Sequence, residues 1–216
     1  MPLALVAVKN FKLNSIVTLL YLMRYEMNKI KVLGLALALG VSSLSLHASD
    51  FGYSFVQLGF GITDDENSTS NGEYSGVTGS FQTQNGVLVL FESTRFEESG
   101  QYDFDFTAIG AGIYTATGSQ TDLYGGLQLV NADLGAENDE SGFRVSIGIR
   151  TALTSHIELD GSVKHEDVYD NDSDTGYGLA LRYYATPNVA AGVHYDSTDI
   201  NGLGIESIYG SIRFIF

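Results

Sequence analysis

Cysteine and tryptophan are absent from this 216-residue chain, proline occurs twice, and only 11 residues are Lys or Arg against 26 Asp or Glu. Without Cys there is no disulfide framework and no thiolate metal site, although the absence does not identify a compartment. A soluble domain also finishes in a polar, frayed tail, and this chain lacks one. It ends on "SIYGSIRFIF", with alternating apolar residues up to Phe216. What the chain does have is 25 Gly, 13 Tyr and 12 Phe, a composition suited to strands and tight turns rather than to long helices.

The N-terminal region reads as an export signal. Met27-Asn28-Lys29-Ile30-Lys31 is a short basic segment, followed by the apolar run Val32 to Val41 and then by small residues reaching Leu46-His47-Ala48. That order predicts a secretory signal peptide over 27–48 with cleavage after Ala48, since the apolar run is too short for a span of ~20 residues. Residues 1–26 are read as upstream of the true start at Met27, or as an extra targeting segment. The mature domain is then 49–216. Residues 1–48 hold five of the 11 basic groups and one of the 26 acids, so 6 basic and 25 acidic residues remain, a net charge of −19. Nucleic acid is excluded as a partner, because neutralising phosphates needs a basic face.

From Phe51 onward, segments of about ten residues alternate apolar with polar, which is the period of a half-buried strand. Ten are expected: 51–62, 74–83, 87–96, 102–114, 121–131, 141–152, 157–168, 175–185, 189–198 and 204–216, with eight as the alternative count. Their connections fall into two classes. Those after strands 2, 4, 6 and 8 are short: "QNG", "TATGSQ", "LTSH" and "TPN". Those after the odd strands are acidic, among them "TDDENSTSNGEYS", "DLGAENDE" and "YDNDSDT". Short turns at one end and longer loops at the other predict an all-β, closed antiparallel transmembrane β-barrel of the outer membrane, with both termini on the short-turn, periplasmic side.

Strand parity carries the same expectation. Phe143, Val145, Ile147 and Ile149 share one face of strand 6, opposite Arg144, Ser146, Gly148 and Arg150. Five of the six mature basic residues, Arg144, Arg150, Lys164, Arg182 and Arg213, fall on the polar parity, and Arg95 is unassigned. A cation facing lipid near the midplane costs ~2 to 4 kcal/mol, so this placement is selective. Alternation alone does not separate a membrane barrel from an inverted soluble one; the signal peptide, the loop asymmetry and aromatics at strand ends favour the membrane.

Ten strands enclose a narrow lumen. Hairpin spacing pairs Ala152 with His156, which sets Arg150 opposite Glu158, and pairs Val168 near Asp174, which sets Asp160 opposite Arg182. With Arg213 and Glu92 at comparable depth, Glu92, Arg150, Glu158, Asp160, Arg182 and Arg213 are the candidate lumenal charge network. Such a network stays charged only if its members are paired and hydrogen-bonded. Inward glycines leave room for it and for Tyr124, Tyr184 and Tyr209. A side-chain plug is the leading reading; a narrow channel favouring small cations is the alternative, because an acidic mouth concentrates them.

Other motifs weigh less. "DNDSDTG" places Asp170, Asp172 and Asp174 at alternate positions like the start of a calcium loop, but Thr175 stands where the turn glycine belongs and Leu181 where the final Glu belongs. The acidic loops as a group suggest divalent cations bridging to lipopolysaccharide. An outer-membrane hydrolase is the third reading. His165, Glu166 and Asp167 imitate the rim of an omptin-type protease, yet His165 has the lipid-facing parity of Val163. In "HYDS", Asp196 takes the position of the Ser in the His-x-Ser motif of lipid A deacylases. No nucleophile has a base beside it on the right parity, so no catalysis and no cofactor are expected.

"TDLYGGLQL", "GFRVSIGIRTALTSHIELDGSV", "GYGLALRYYATPNVAAGVHY" and "SIRFIF" resemble the hairpins of small porin-like outer-membrane β-barrel proteins of Gram-negative bacteria, over essentially the whole mature domain. The resemblance implies an integral outer-membrane barrel; taken with the strand parity and the acidic loops, the expectation is a monomer in contact with lipid and lipopolysaccharide. It also implies that Phe214 and Phe216 form a terminal signal for the barrel-assembly machinery. It transfers no catalytic site, and a shared fold gives no function by itself.

Overall fold

The computed structural model describes residues 51–65, 72–83, 85–98, 102–133, 139–169, 172–200 and 203–216. Ten strands follow one another: β1 (Phe55–Asp65), β2 (Gly72–Gln82), β3 (Val87–Glu98), β4 (Tyr102–Gly118), β5 (Thr121–Asp133), β6 (Asp139–Ala152), β7 (Ile157–Tyr169), β8 (Asp172–Thr186), β9 (Val189–Ile200) and β10 (Leu203–Ile215). Each pairs antiparallel with its sequence neighbour, and β1 closes on β10, so the sheet is a ten-stranded closed barrel rather than an eight-stranded one. Closure removes the edges that an open sheet would leave unpaired.

The four short turns close tightly. Thr83 N donates to Val87 O at 2.8 Å and Gly86 N to Thr83 O at 3.1 Å, with Gly86 at φ 77°, a left-handed conformation that glycine adopts without a Cβ penalty. Leu153 N donates to Ile157 O at 2.8 Å, and Thr154 Oγ1 accepts from the amides of His156 and Ile157. Pro187 and Asn188 join β8 to β9 in a turn that needs no donor from proline.

Most strands run one to three residues further towards the loops than the sequence predicts, β4 runs on to Gly118 rather than to residue 114, and two further differences concern the start of β1 and one register. β1 begins at Phe55, not at residue 51; Ser54 keeps one backbone bond, its carbonyl accepting from Phe216 N at 3.0 Å, and Phe51 to Tyr53 stand outside the ladder. The register at β6–β7–β8 is displaced by two residues. Ala152 stands opposite Glu158 and Arg150 opposite Asp160, while Glu158 stands opposite Arg182 and Asp160 opposite Ala180. The β6–β7 turn closes at Leu153 and Ile157, one position further on each strand than the Ala152–His156 pair that hairpin spacing predicts, and the β7–β8 register changes at a bulge between Glu166 and Tyr169.

Towards the turns and the middle of the barrel, the outward positions are apolar. Val56, Leu58, Phe60 and Ile62 line β1, Val87, Val89 and Phe91 line β3, and Ile212 and Phe214 lie on β10, most of them exposed. Phe60 is 67% exposed and Leu129 67%, which a water-filled surroundings would penalise. Towards the loop end the pattern reverses. Outward positions become Arg95, Glu97, Asp105, Asn131, Asp133, Asp167 and Glu206, all exposed. Inward positions at the same end become Phe96, Phe104, Phe106, Ala108, Val130, Ala132, Val168 and Ile205, all buried. The strands thus run on past the apolar belt as a rim with the polarity of a water-soluble barrel. Arg95 belongs to this outer rim, 2.6 Å from Glu97 and 3.7 Å from Asp105.

The lumen as candidate functional site

Side chains fill the barrel in layers, and the layer nearest the turns is ionic. Arg182 Nη1 donates to Glu158 Oε1 at 2.6 Å and to Asp160 Oδ2 at 2.9 Å. Arg150 Nε lies 3.4 Å from Glu158 and 3.6 Å from Asp160. Arg213 Nη1 is 3.9 Å from Glu158, its Nε donates to Gln57 Oε1 at 3.0 Å, and its guanidinium sits 3.8 Å over the Phe55 ring. Tyr124 OH donates to Asp160 at 2.6 Å, and Tyr184 OH donates to Glu158 Oε2. These residues come from β1, β5, β6, β7, β8 and β10, so the cluster ties opposite walls together.

Five of the six expected network residues meet here. The register shift does not break the group, because a long Arg side chain reaches both the residue directly opposite and the one two positions along. Glu92 is elsewhere: its carboxylate accepts from Arg144 Nη1 at 2.8 Å, in a second cluster where Arg144 Nε donates to Glu166 at 2.6 Å and Lys164 Nζ lies 3.7 Å from Glu166. The sequence reading equated depth with position along the ladder. Strand tilt staggers the walls, so Glu92 of β3 comes level with Arg144 of β6 instead of Arg213.

Between the two clusters lies a chamber of about 230 Å³ of mixed lining, bordered by Gln57, Leu88, Leu90, Ser146, His194 and Arg213 among others. His194 Nε2 is 2.8 Å from Ser211 Oγ, and its ring stacks on Tyr209, which stacks in turn on Tyr74. Among the described residues, Arg150 Nε and Nη1, Arg182 Nε and Arg213 Nη1 make no direct hydrogen bond. Above the Arg144 cluster, towards the loops, the apolar cluster of Phe96, Phe104, Phe106 and their neighbours crosses the lumen, with Phe96 edge-on to both Tyr74 and Phe106. Below the ionic layer, a vestibule of about 430 Å³ opens among the turns, bordered by His156, Glu158, Tyr184 and Pro187.

Sequence reasoning missed two of these features. Inward apolar residues near the loops followed the expected parity, but their polarity was not expected to invert. The alternation predicts Tyr53 within a strand, whereas it precedes β1, its ring turns into the lumen, 2% exposed, and its hydroxyl donates to Asp122 Oδ2 at 2.9 Å. Burial holds that hydroxyl protonated well above the ordinary phenol range; Arg150 opposes the shift and Asp122 adds to it.

The remaining candidates separate. Glu166 is buried in the lumen while His165 and Asp167 are exposed on the outer wall, so the three residues of the protease-like reading do not share a face. Asp170 lies outside the described residues; Asp172 and Asp174 enter β8, opposite Tyr169 and Glu166. Phe214 and Phe216 are exposed on the outer face, 48% and 68%, and Phe216 N donates to Ser54 O at 3.0 Å.

No protein-family model matches this chain, and no curated protein does. Solved structures do. A NanC porin is similar with a TM-score of 0.53 at 12% identity, covering 74% of this chain and all of that one. A KdgM porin covers 74% of this chain and 99% of its own, at a TM-score of 0.44 and 10% identity. Neisserial surface protein A covers 75% and 96%, at 0.38 and 17%. At such identities the likeness to the NanC porin is one of fold, and the fold is that of outer-membrane porin barrels.

Proposed function

We propose that this chain is an integral outer-membrane barrel without catalytic activity, whose lumen is plugged by its own side chains and whose acidic loops face outward for envelope integrity or surface interaction. The observation that carries the reading is the double crossing of the lumen: an ionic layer near the turns and an apolar layer near the loops. The apolar belt supports the membrane setting, because a closed sheet with apolar residues outside and ion pairs inside suits lipid better than water. In this reading the termini are periplasmic, residues 27–48 are a cleaved signal, and the barrel is a monomer that meets lipopolysaccharide through divalent cations. Phe214 and Phe216 serve the barrel-assembly machinery. Liposomes carrying the purified protein should then exclude small solutes, whereas swelling in isotonic small sugars would overturn the plug.

The chamber favours a second reading, a narrow channel preferring small cations drawn in by the acidic loops. That reading requires the apolar layer to part.

A further inference from the structure

We propose that Phe51 to Tyr53 form a displaceable stopper at the turn end of the lumen, hinged at Ser54 and anchored by Tyr53 in a subsite made by Tyr114, Asp122 and Arg150. The proposal rests on the plugged lumen argued above and names the part of the plug built to move.

The segment stands outside the barrel ladder, which begins at Phe55. Its single deep contact is Tyr53. The ring stacks on Tyr114 with centroids 4.0 Å apart and planes 20° apart, lies under the Arg150 guanidinium at 4.7 Å, and donates its hydroxyl to Asp122. Phe51 adds a looser contact, 5.7 Å from the same guanidinium. Ser54 is the pivot, because its Oγ accepts from Gln82 N at 3.1 Å and its carbonyl from Phe216 N at 3.0 Å, which fixes the segment to β2 and to the end of the chain.

Departure of Tyr53 is compensated within the wall. Asp122 and Arg150 are direct partners across the β5–β6 ladder, and Arg150 Nε and Nη1 have no hydrogen-bond partner among the described residues while Tyr53 is in place. When the phenol leaves, the carboxylate still has a guanidinium opposite it, so neither charge is stranded. The vestibule of about 430 Å³, which Phe51 and Gly52 already border, gives the segment space to swing into. The apolar layer at the loop end has no such arrangement, since its residues belong to strands held on both sides.

The absence of native Cys makes the test direct. Thr78 borders the chamber, so T78C puts one thiol inside the lumen. Its rate of modification by a small water-soluble methanethiosulfonate is measured with the barrel in lipid nanodiscs, where both ends meet solvent. The proposal expects slow labelling of T78C and labelling at least tenfold faster in T78C/Y53A, with Y53F close to the parent because the ring remains. T78C/Y114A, which removes the stacking partner from the wall, should also label at least tenfold faster and serves if Y53A does not assemble. Slow labelling in all variants would overturn the stopper while leaving the plug standing. Fast labelling of T78C alone would overturn the plug itself, and the stopper with it.

Discussion

Glu158 faces Arg182 directly across the β7–β8 ladder, and the Arg182 Nη1 donor sits 2.6 Å from Glu158 Oε1. The same oxygen lies 3.4 Å from Arg150 Nε and 3.9 Å from Arg213 Nη1, so one carboxylate, 1% exposed, is shared by three buried guanidiniums.

Removing that carboxylate leaves the cations without their common partner. E158A is expected to destabilise the barrel by ~3 to 5 kcal/mol, the cost of stranding a buried charge. E158Q, which keeps the shape and one acceptor, should lose less. Urea unfolding in lipid checks this, and a loss below about 1 kcal/mol in E158A would contradict the central position given to Glu158.

The apolar layer near the loops should behave as a core, although it belongs to a barrel with polar contents below it. Phe106 is buried and packs edge-to-face on Phe96, so F106A should cost ~3 to 5 kcal/mol. Arg95 on the outer rim makes solvent-exposed ion pairs with Glu97 and Asp105, and R95A should change stability by no more than ~1 kcal/mol. Equal effects in the two variants would argue against the reversal of polarity at the loop end.

The strand count, the two classes of connection and the facing of five of six basic residues were legible because a period of two and a contrast in loop length survive without tertiary information. Register was less so: "LTSH" does not reveal that Leu153 and Ile157 close the turn, and each step of slip changes the named partner. The Arg144–Glu92 pair was invisible because it joins β6 to β3 through tilt, not through neighbouring strands. Tyr53 escaped because Phe51, Tyr53 and Phe55 continue the alternation of β1, and nothing in that spacing marks where the ladder stops. The inverted layer escaped for a related reason. Parity says which residues share a face, but not where along the strand lipid gives way to water.

Depth along the strand should be readable by charge. Val193 is outward in the apolar belt and 62% exposed, whereas Ser197 is four residues nearer the loops on the same face of β9. V193K should cost ~2 to 4 kcal/mol and S197K ~0 to 1, measured as unfolding free energies in lipid. Equal costs would place the belt elsewhere or remove it.

Backbone approach makes its own prediction. A Cβ on Gly110 would come within 2.0 Å of the Leu127 carbonyl oxygen, a backbone atom that cannot yield cheaply, whereas one on Gly210 would meet nothing closer than 4.0 Å. G110A should reduce the yield of folded barrel severalfold and G210A should leave it unchanged, as read from heat-shifted migration on gels.

Single-channel recording of the purified barrel in planar bilayers bears most directly on the plugged lumen. The wild-type protein should be silent across the voltage range, and neutralising Arg150 and Arg182 together should produce conductance by loosening the ionic layer. Steady ohmic steps from the wild-type protein would contradict the account.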